Sequence, residues 1–594
     1  MRRSPPTPAE ESRSLIDAAA CTTVLHQLRN IARTRWKGTP MVDQLESFDY
    51  DVVVIGAGFG GITALHRLRE DNYRVRVFEA APSVGGTWFW NRYPGARVDI
   101  ESLEYSLPFP ELQKHWSWSE KYAAQPELLA YMNWVVDQVG IRDGIEFNTR
   151  LTSAEFLGEA NGWRLLLRQD GATREVTSRY LILATGFLSV PNVPNITGID
   201  EFAGEYLHST AWPSEGVDLA RKSVGVLGTA ASGVQIIQTI APEVAHLTVF
   251  QRTANWCSPL RNESMRPDYI SWVHENYEMI RELEYASPGS GAVLVGGVLN
   301  PPRDRLGAGL TRDELYKEWE SRWRAGGPHL GRSYSDVIRD RDVNSHLRDF
   351  LVEKIKELVD DPETARKLTP THPPLTRRPP GDTNYYQTYN RKNVELVDVK
   401  ADPIARVVPD GVVLESGAHH VLDVFILATG FDAGSGAALR IDIRGRHGLS
   451  LREHWADGAR TELGLMTSGF PNLFFINGAQ SPGVHFSPPL LGAYQVDYIR
   501  RILSELAKYP HPAIDVTHES EERWTQIVAD IYAMTMIPET DSWWMGANIP
   551  GKPRRPVAFG GGFPAYRDYA EAAINDGLRG FQVEADLTNA PAKS

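Results

Sequence analysis

Two buried-strand runs, at residues 50–55 and 222–228, each enter a glycine-rich turn and then an apolar-faced helix. They predict an α/β chain with two Rossmann-like dinucleotide-binding domains. The mainly helical stretch from Trp256 to Thr376 adds a helical insertion to the second of them. The length of 594 residues agrees, since domains of about 150 residues would number two to four in such a chain. The expected layout is an N-terminal extension over 1–45, a first domain from 46–195 and 385–545, a second over 196–384 with its insertion at 257–376, and a C-terminal loop and tail over 546–594.

Hydrophobic residues make up 42% of the chain and charged ones 23%, the balance of a folded globular protein. The 62 Lys and Arg against 75 Asp and Glu give a formal charge of −13, which argues against a nucleic-acid partner. Cys21 and Cys257 supply no disulfide framework, no CxxC redox pair and no zinc cluster, and the histidines form no HExxH, so no metal is expected. No apolar run of 18 residues is present and the first 20 residues lack an apolar core. A membrane span and a secretory signal are therefore not expected, and a cytoplasmic monomer or weak homo-oligomer is. In the extension, Ala9 to Arg35 predicts a helix with Leu15, Ala19, Val24, Leu25 and Leu28 near one side.

The strand Tyr50–Gly56 runs into Gly58 and Gly61, giving GxGxxG before a helix through Ile62, Leu65 and Leu68. Such glycines allow a tight turn, close approach of backbone to a pyrophosphate, and close helix–strand packing, while the helix start offers free N–H groups to the phosphates. The next strand, Arg74–Glu79, ends in an acid placed to bond adenosine ribose hydroxyls. Past it, Gly86, Thr87, Trp88 and the loop Asn91–Asp99 occupy the position from which a two-dinucleotide flavoprotein reaches its flavin. Leu181–Gly186 and Val424–Gly430 are near-repeats of strand followed by Ala-Thr-Gly, which suggests that the chain leaves the flavin domain and re-enters it.

The second strand, Lys222–Gly228, continues through Thr229, Ala230, Ser232, Gly233 and Gln235 into a helix with Ile236, Ile237 and Ile240. Ala230 replaces the middle glycine and adds a methyl where backbone should approach pyrophosphate. The following strand, Leu247–Phe250, ends in Gln251-Arg252-Thr253 rather than in an acid, which fits a 2′-phosphate and favours NADPH over NADH. Two such sites imply hydride transfer from NADPH to FAD. Without a redox thiol pair beside the flavin, molecular oxygen becomes the acceptor.

Between the glycine motifs, Phe202, Gly204, His208 and Trp212 with Pro213 form FxGxxxHxxxWP. This resembles the fingerprint of type I Baeyer–Villiger monooxygenases, class B flavoproteins, and the resemblance spans about residues 48–570, through GGTWFWNRYPGARVD, QRTANW, TRRPPGDTNYYQTYNR, ATGFD and DSWWMGANIPGKPR. It implies FAD, NADPH and insertion of one oxygen atom of O2 beside a ketone carbonyl through a C4a-peroxyflavin, giving an ester or lactone. It further implies Arg378 as the active-site arginine, Asp99 as its carboxylate partner, Arg252, Thr253 and Arg377 as 2′-phosphate contacts, and Trp543 on a loop closing over NADP. His208 reads as a structural histidine in a hinge. The guanidinium suits its role: it keeps its charge and does not readily protonate a peroxide.

His485, Phe486 and Leu490 fall where the family presents substrate-facing residues, while Tyr277, Tyr285, Trp319 and Trp323 either line an entrance or pack. With its departures from the small-ketone pattern and its long extension, the chain resembles members acting on large-ring or polycyclic ketones. The alternatives are a flavin-dependent N- or S-monooxygenase, an uncoupled NADPH oxidase and a non-catalytic flavin-binding sensor.

Overall fold

A computed structural model describes residues 48–584 except 290–293, 296–297, 300–304 and 329. The expected helix at 9–35 and the end of the tail lie outside the described residues. The described residues belong to one compact unit.

The first sheet grows around β1 (Tyr50–Ile55), whose Val52, Val53 and Val54 are all fully buried, as a parallel strand covered on both faces requires. Helix α1 (Phe59–Glu70) returns the chain to β2 (Val75–Phe78), and β3 (Ile145–Glu146) lies beyond it. A meander follows: β4 (Thr149–Leu157), β5 (Gly162–Gln169) and the long β6 (Ala172–Leu183). The first half of β6 pairs antiparallel with β5, and its second half pairs parallel with β1, Val54 opposite Ile182.

The second sheet is wholly parallel. It comprises β7 (Glu205–His208), β8 (Ser223–Leu227), β9 (His246–Gln251), β10 (Val394–Asp398) and β11 (Val424–Leu427) in the order β10–β9–β8–β11–β7. Helix α2 (Ala231–Ile240) links β8 to β9. One expectation is overturned here: Val424–Gly430 does not re-enter the first sheet, because β11 sits between β8 and β7. The return begins with the strand Asp442–Arg444, which pairs with β4, and is completed by β12 (Leu473–Phe475), which pairs with β6 and restores the parallel order β12–β6–β1–β2–β3. Helix α3 (Pro488–Leu506) then packs along α1, where Gly60 and Gly492 let the backbones approach.

The helical insertion divides between two cores. The helices Pro267–Glu275 and Tyr277–Ala286 bury Tyr269, Val273, Tyr277 and Ile280 in the core of the first sheet. The helix Arg312–Ala325 buries Leu315, Trp319 and Trp323 in the core of the second. With them packs Arg341–Leu358, whose Val343, Leu347, Phe350, Leu351 and Ile355 recur at helical spacing along its inner face. Tyr277, Trp319 and Trp323 are thus packing residues. The segment expected as a C-terminal loop carries a helix, Phe563–Asn575, because Phe563, Tyr566, Ala570 and Ala573 share one face, which the first core covers. A last strand, Phe581–Glu584, pairs antiparallel with Ala513–Val516. Among the described residues no helix is long and apolar enough to cross a membrane.

The division of the insertion can be tested by mutation. Leu347→Ala, at a fully buried position, is expected to cost about 2–5 kcal/mol in chemical unfolding of the FAD-loaded protein. Arg348→Ala, on the exposed face of the same helix, should stay within about 0.5 kcal/mol.

Candidate active site

The two glycine turns are built alike. Gly56 donates its N–H to Phe78 O and Gly228 donates to Phe250 O, at 2.9 and 3.1 Å. Both glycines have positive φ, +105° and +112°, and a Cβ on either would strike the carbonyl oxygen of the alanine in the Ala-Thr-Gly turn alongside, Ala184 or Ala428. The third glycines are as constrained: a Cβ on Gly61 or Gly233 would lie 1.8 or 2.0 Å from the oxygen of Gly56 or Gly228. The near-repeat seen in the sequence is therefore one structural position used twice, beside the first strand of each nucleotide fold.

The middle positions also coincide. Gly58 has φ −80°, ψ −170° and Ala230 has φ −87°, ψ −169°, extended backbone open to any residue. Neither α1 nor α2 receives a side-chain cap, whereas the helices starting after Thr311, Asp340, Asp361 and Thr517 all do. A Cβ on Gly58 would meet only Gly86 Cα, at 3.6 Å. An open cradle before uncapped N–H groups fits a pyrophosphate. Glu79 lies at this turn, buried, its carboxylate accepting from Ala57 N–H at 2.6 Å and Ala81 N–H at 2.8 Å. Burial pushes its pKa up, and each oxygen keeps a lone pair for a ligand hydroxyl.

The loop Asn91–Asp99 bridges the two domains. Tyr93 donates its hydroxyl to Gln235 Oε1 at 2.9 Å, and Gln235 Nε2 donates to Arg97 O at 3.1 Å. The Ser232 hydroxyl, in the first turn of α2, also bonds Tyr93. At the loop's end, Asp99 meets Arg378: one guanidinium nitrogen, Nη2, donates to both carboxylate oxygens at 2.6 Å. The Asp99 charge raises the arginine's pKa further. No described residue takes Nε or Nη1 of Arg378, so those donors remain for a ligand. Asn255 Nδ2 donates to Arg378 O and fixes the backbone. Thr87 opens a short helix after Gly86 and is exposed, while the buried Trp88 donates its indole N–H to Tyr105 OH at 3.3 Å.

Arg252, Thr253 and Arg377 line one cleft of about 490 Å³, together with Lys400 and His372. Thr229 ties the second turn to it by donating to Thr253 O at 2.9 Å. Burial lowers the pKa of Arg377, and the nearby Arg252 charge lowers it again, as in a site built for an anion. Sequence reasoning missed Lys400. No local pattern marks it: the tertiary pairing of β10 with β9, residue for residue, brings the end bearing Lys400 beside the end bearing Arg252. Trp543 is half-buried, with its ring against Phe187 and Trp544. Its segment is held down by Lys552 on Asp432 and by Asn548 Nδ2 donating to Phe431 O.

In the fingerprint, buried His208 takes the Thr210 N–H on Nδ1 at 3.2 Å, and its Nε2 lies 3.4 Å from Thr429 Oγ1 in the second Ala-Thr-Gly turn. Burial lowers its pKa, so it is a neutral strut between β7 and β11, away from the Arg378–Asp99 pair. Phe202 packs on Phe425, Gly204 leaves no room for a Cβ against Asp423 O, and Trp212 is buried in the second core. His485 feels the Arg378 charge, which together with burial brings its pKa down to about 4. Its Nε2 is 2.9 Å from Tyr532 OH and its ring lies on Trp544. Phe486 instead stacks on Phe563 at 4.3 Å and Leu490 is wholly buried; both belong to the core of the first sheet.

Two nucleotide folds facing one guanidinium, with no thiol pair between them, define a flavoprotein that takes electrons from a pyridine nucleotide. Comparison with known proteins narrows the class. The pyridine nucleotide-disulphide oxidoreductase family model matches residues 50–271. A Baeyer-Villiger monooxygenase of Pseudooceanicola batsensis is 39% identical over 533 residues, 89% of this chain and 95% of that protein. The phenazine N-monooxygenase PhzNO1 of Lysobacter antibioticus is 36% identical over 551 residues, 92% of this chain and 99% of that protein. A solved structure of oxidised steroid monooxygenase bound to NADP is 40% identical, with a TM-score of 0.84 over 90% of this chain and 100% of that one. The chain belongs to the Baeyer–Villiger-type, class B family of flavoprotein monooxygenases: it is an enzyme that binds FAD and NADP(H) and uses NADPH and O2 on ketone-like substrates.

The coincidence of Ala230 with Gly58 bears directly on NADP binding. Ala230→Gly should alter the Kd for NADP+, measured by titration calorimetry, by less than about threefold, with a stability gain of about 0.5–1 kcal/mol at this N-cap position. A tenfold tightening would show that the methyl obstructs the ligand.

Proposed function

We propose that the enzyme carries out Baeyer–Villiger oxidation of bulky, large-ring or polycyclic ketones: ketone, O2, NADPH and a proton give ester or lactone, NADP+ and water. The observation that carries this reading is Arg378, held by Asp99 through one nitrogen only, with its other donors unclaimed and the second nucleotide domain alongside. Bound FAD supplies the redox chemistry, passing electrons from NADPH to O2. Gly56, Gly58, Gly61 and the start of α1 hold its pyrophosphate, and Glu79 its ribose. Gly228, Ser232 and Gly233 hold that of NADP, while Arg252, Thr253, Arg377 and Lys400 take the 2′-phosphate. Arg378 offers a fixed positive charge where negative charge develops on oxygen, and such a preorganised donor counts most in a partly desolvated site. Asp99 orients it. Trp543 shields the nucleotide, and His485 forms the polar part of the ketone wall.

A second reading, oxidation at a ring nitrogen, is favoured by the likeness to the phenazine N-monooxygenase. Products separate the two. With FAD-loaded protein, NADPH and 18-O2, one 18-O atom in an ester or lactone from a panel of small-ring, large-ring and steroid ketones is the expected result. An N-oxide from phenazine with no ester from any ketone would favour the second reading. Arg378→Ala should cut ester formation by about 10²–10³ while NADP+ still binds in calorimetry.

A further inference from the structure

His372 sits in a loop with no chemistry assigned to it, and it is only 9% exposed. Its backbone is anchored, since Trp256 donates its indole N–H to His372 O at 2.9 Å and the two rings meet edge to face. Its imidazole is not anchored: neither Nδ1 nor Nε2 has a hydrogen-bond partner, and the buried Nε of Arg377 lacks one too. Other buried hydroxyls and indoles are unmatched too, but among the described histidines His372 is the one with both ring nitrogens buried and unmatched, and such a group is a candidate for an outside partner. His372 and Arg377 both line the cleft of about 490 Å³ shared with Arg252, Thr253 and Lys400.

The charges facing this cleft define what that partner is. Its two carboxylates are occupied, Asp541 by Arg554 and Glu539 by Arg341. Arg377 gives one N–H to Asp541 O, while Arg252 and Lys400 pair with no described carboxylate. The cleft is therefore cationic, and His372 stands in its wall. We propose that His372 is a further ligand of the adenosine 2′-phosphate of NADP, donating an imidazole N–H to a phosphate oxygen and strengthening the choice of NADP over NAD. The proposal rests on the assignment of this cleft to the 2′-phosphate. With the cleft free of an anion, burial and the Arg377 charge bring the imidazole pKa down to about 3 and keep it neutral. A neutral ring still donates one N–H, and a phosphate would ease its protonation.

Calorimetric titration of the FAD-loaded enzyme with NADP+ and with NAD+ tests this. His372→Phe keeps a ring of similar volume and removes both nitrogens. It should weaken NADP+ binding about tenfold, the value of a hydrogen bond to a charged group, and leave NAD+ binding within about twofold, which also reports that the domain is folded. The 31-P resonance of the bound 2′-phosphate should move between wild type and variant, while the pyrophosphate resonances stay in place. NADP+ affinity within twofold of wild type, or an unmoved 2′-phosphate resonance, would overturn the role of His372. Arg252→Ala and Arg377→Ala keep the two ideas apart. If they abolish the preference for NADP+ while His372→Phe does not, only the histidine proposal fails. If they too leave the preference intact, the phosphate assignment fails with it.

Discussion

The contact between the loop 91–99 and helix α2 is the one on which the geometry of the site depends. Gly95, at φ +82°, presses so closely on the helix that a Cβ there would lie 2.2 Å from Thr239 Oγ1 and 2.6 Å from Gln235 O. Tyr93 and Arg97 flank it, and both bond to the side chain of Gln235. Residues from the first domain thus grip the helix that begins at the second nucleotide turn, and four residues beyond Gly95 the same loop delivers Asp99 to Arg378. A rotation of the second domain that moved α2 would act on Asp99 through this loop, and so on the arginine's orientation. His208 makes a matching link from the hinge strand to the Thr429 turn. One loop thus joins the second nucleotide helix to the Asp99–Arg378 pair.

Much of this was legible in the sequence because nucleotide turns are local. Glycines at 56, 61, 228 and 233 are demanded by carbonyl oxygens a few residues away or on the neighbouring strand, and the strand–turn–helix order announces them. The Arg378–Asp99 pair, 279 residues apart, came from resemblance; no local pattern predicts it. What failed was non-local. An apolar run with Ala-Thr-Gly does not say which sheet it joins, and Val424–Leu427 was placed in the wrong one because strand partners are chosen by the tertiary fold. The helical insertion was legible as helices but not as two groups serving two cores. Lys400 and His372 were missed because each is unremarkable until β10 and the loop at 371–373 converge on Arg252.

The electrostatics of the proposed ketone wall follow from the same arrangement. Beside Arg378, His485 is held neutral, with a pKa near 4, by burial and by the guanidinium itself. Burial also raises the Tyr532 pKa, so the hydroxyl facing His485 stays protonated. Phe486 and Leu490 add no polarity behind them. The wall is therefore polar but uncharged, beside a cation that one carboxylate orients without enclosing. A neutral carbonyl gains little from such a cation in the ground state. On the proposed reaction it would gain more as negative charge grew on its oxygen, because the donors are already in place. A second ionised group on the wall would dilute that difference, by repelling the developing anion or by competing with Arg378 for it. Burial first and the Arg378 charge second keep that histidine neutral, which in the proposed reaction would leave the differential stabilisation to Arg378.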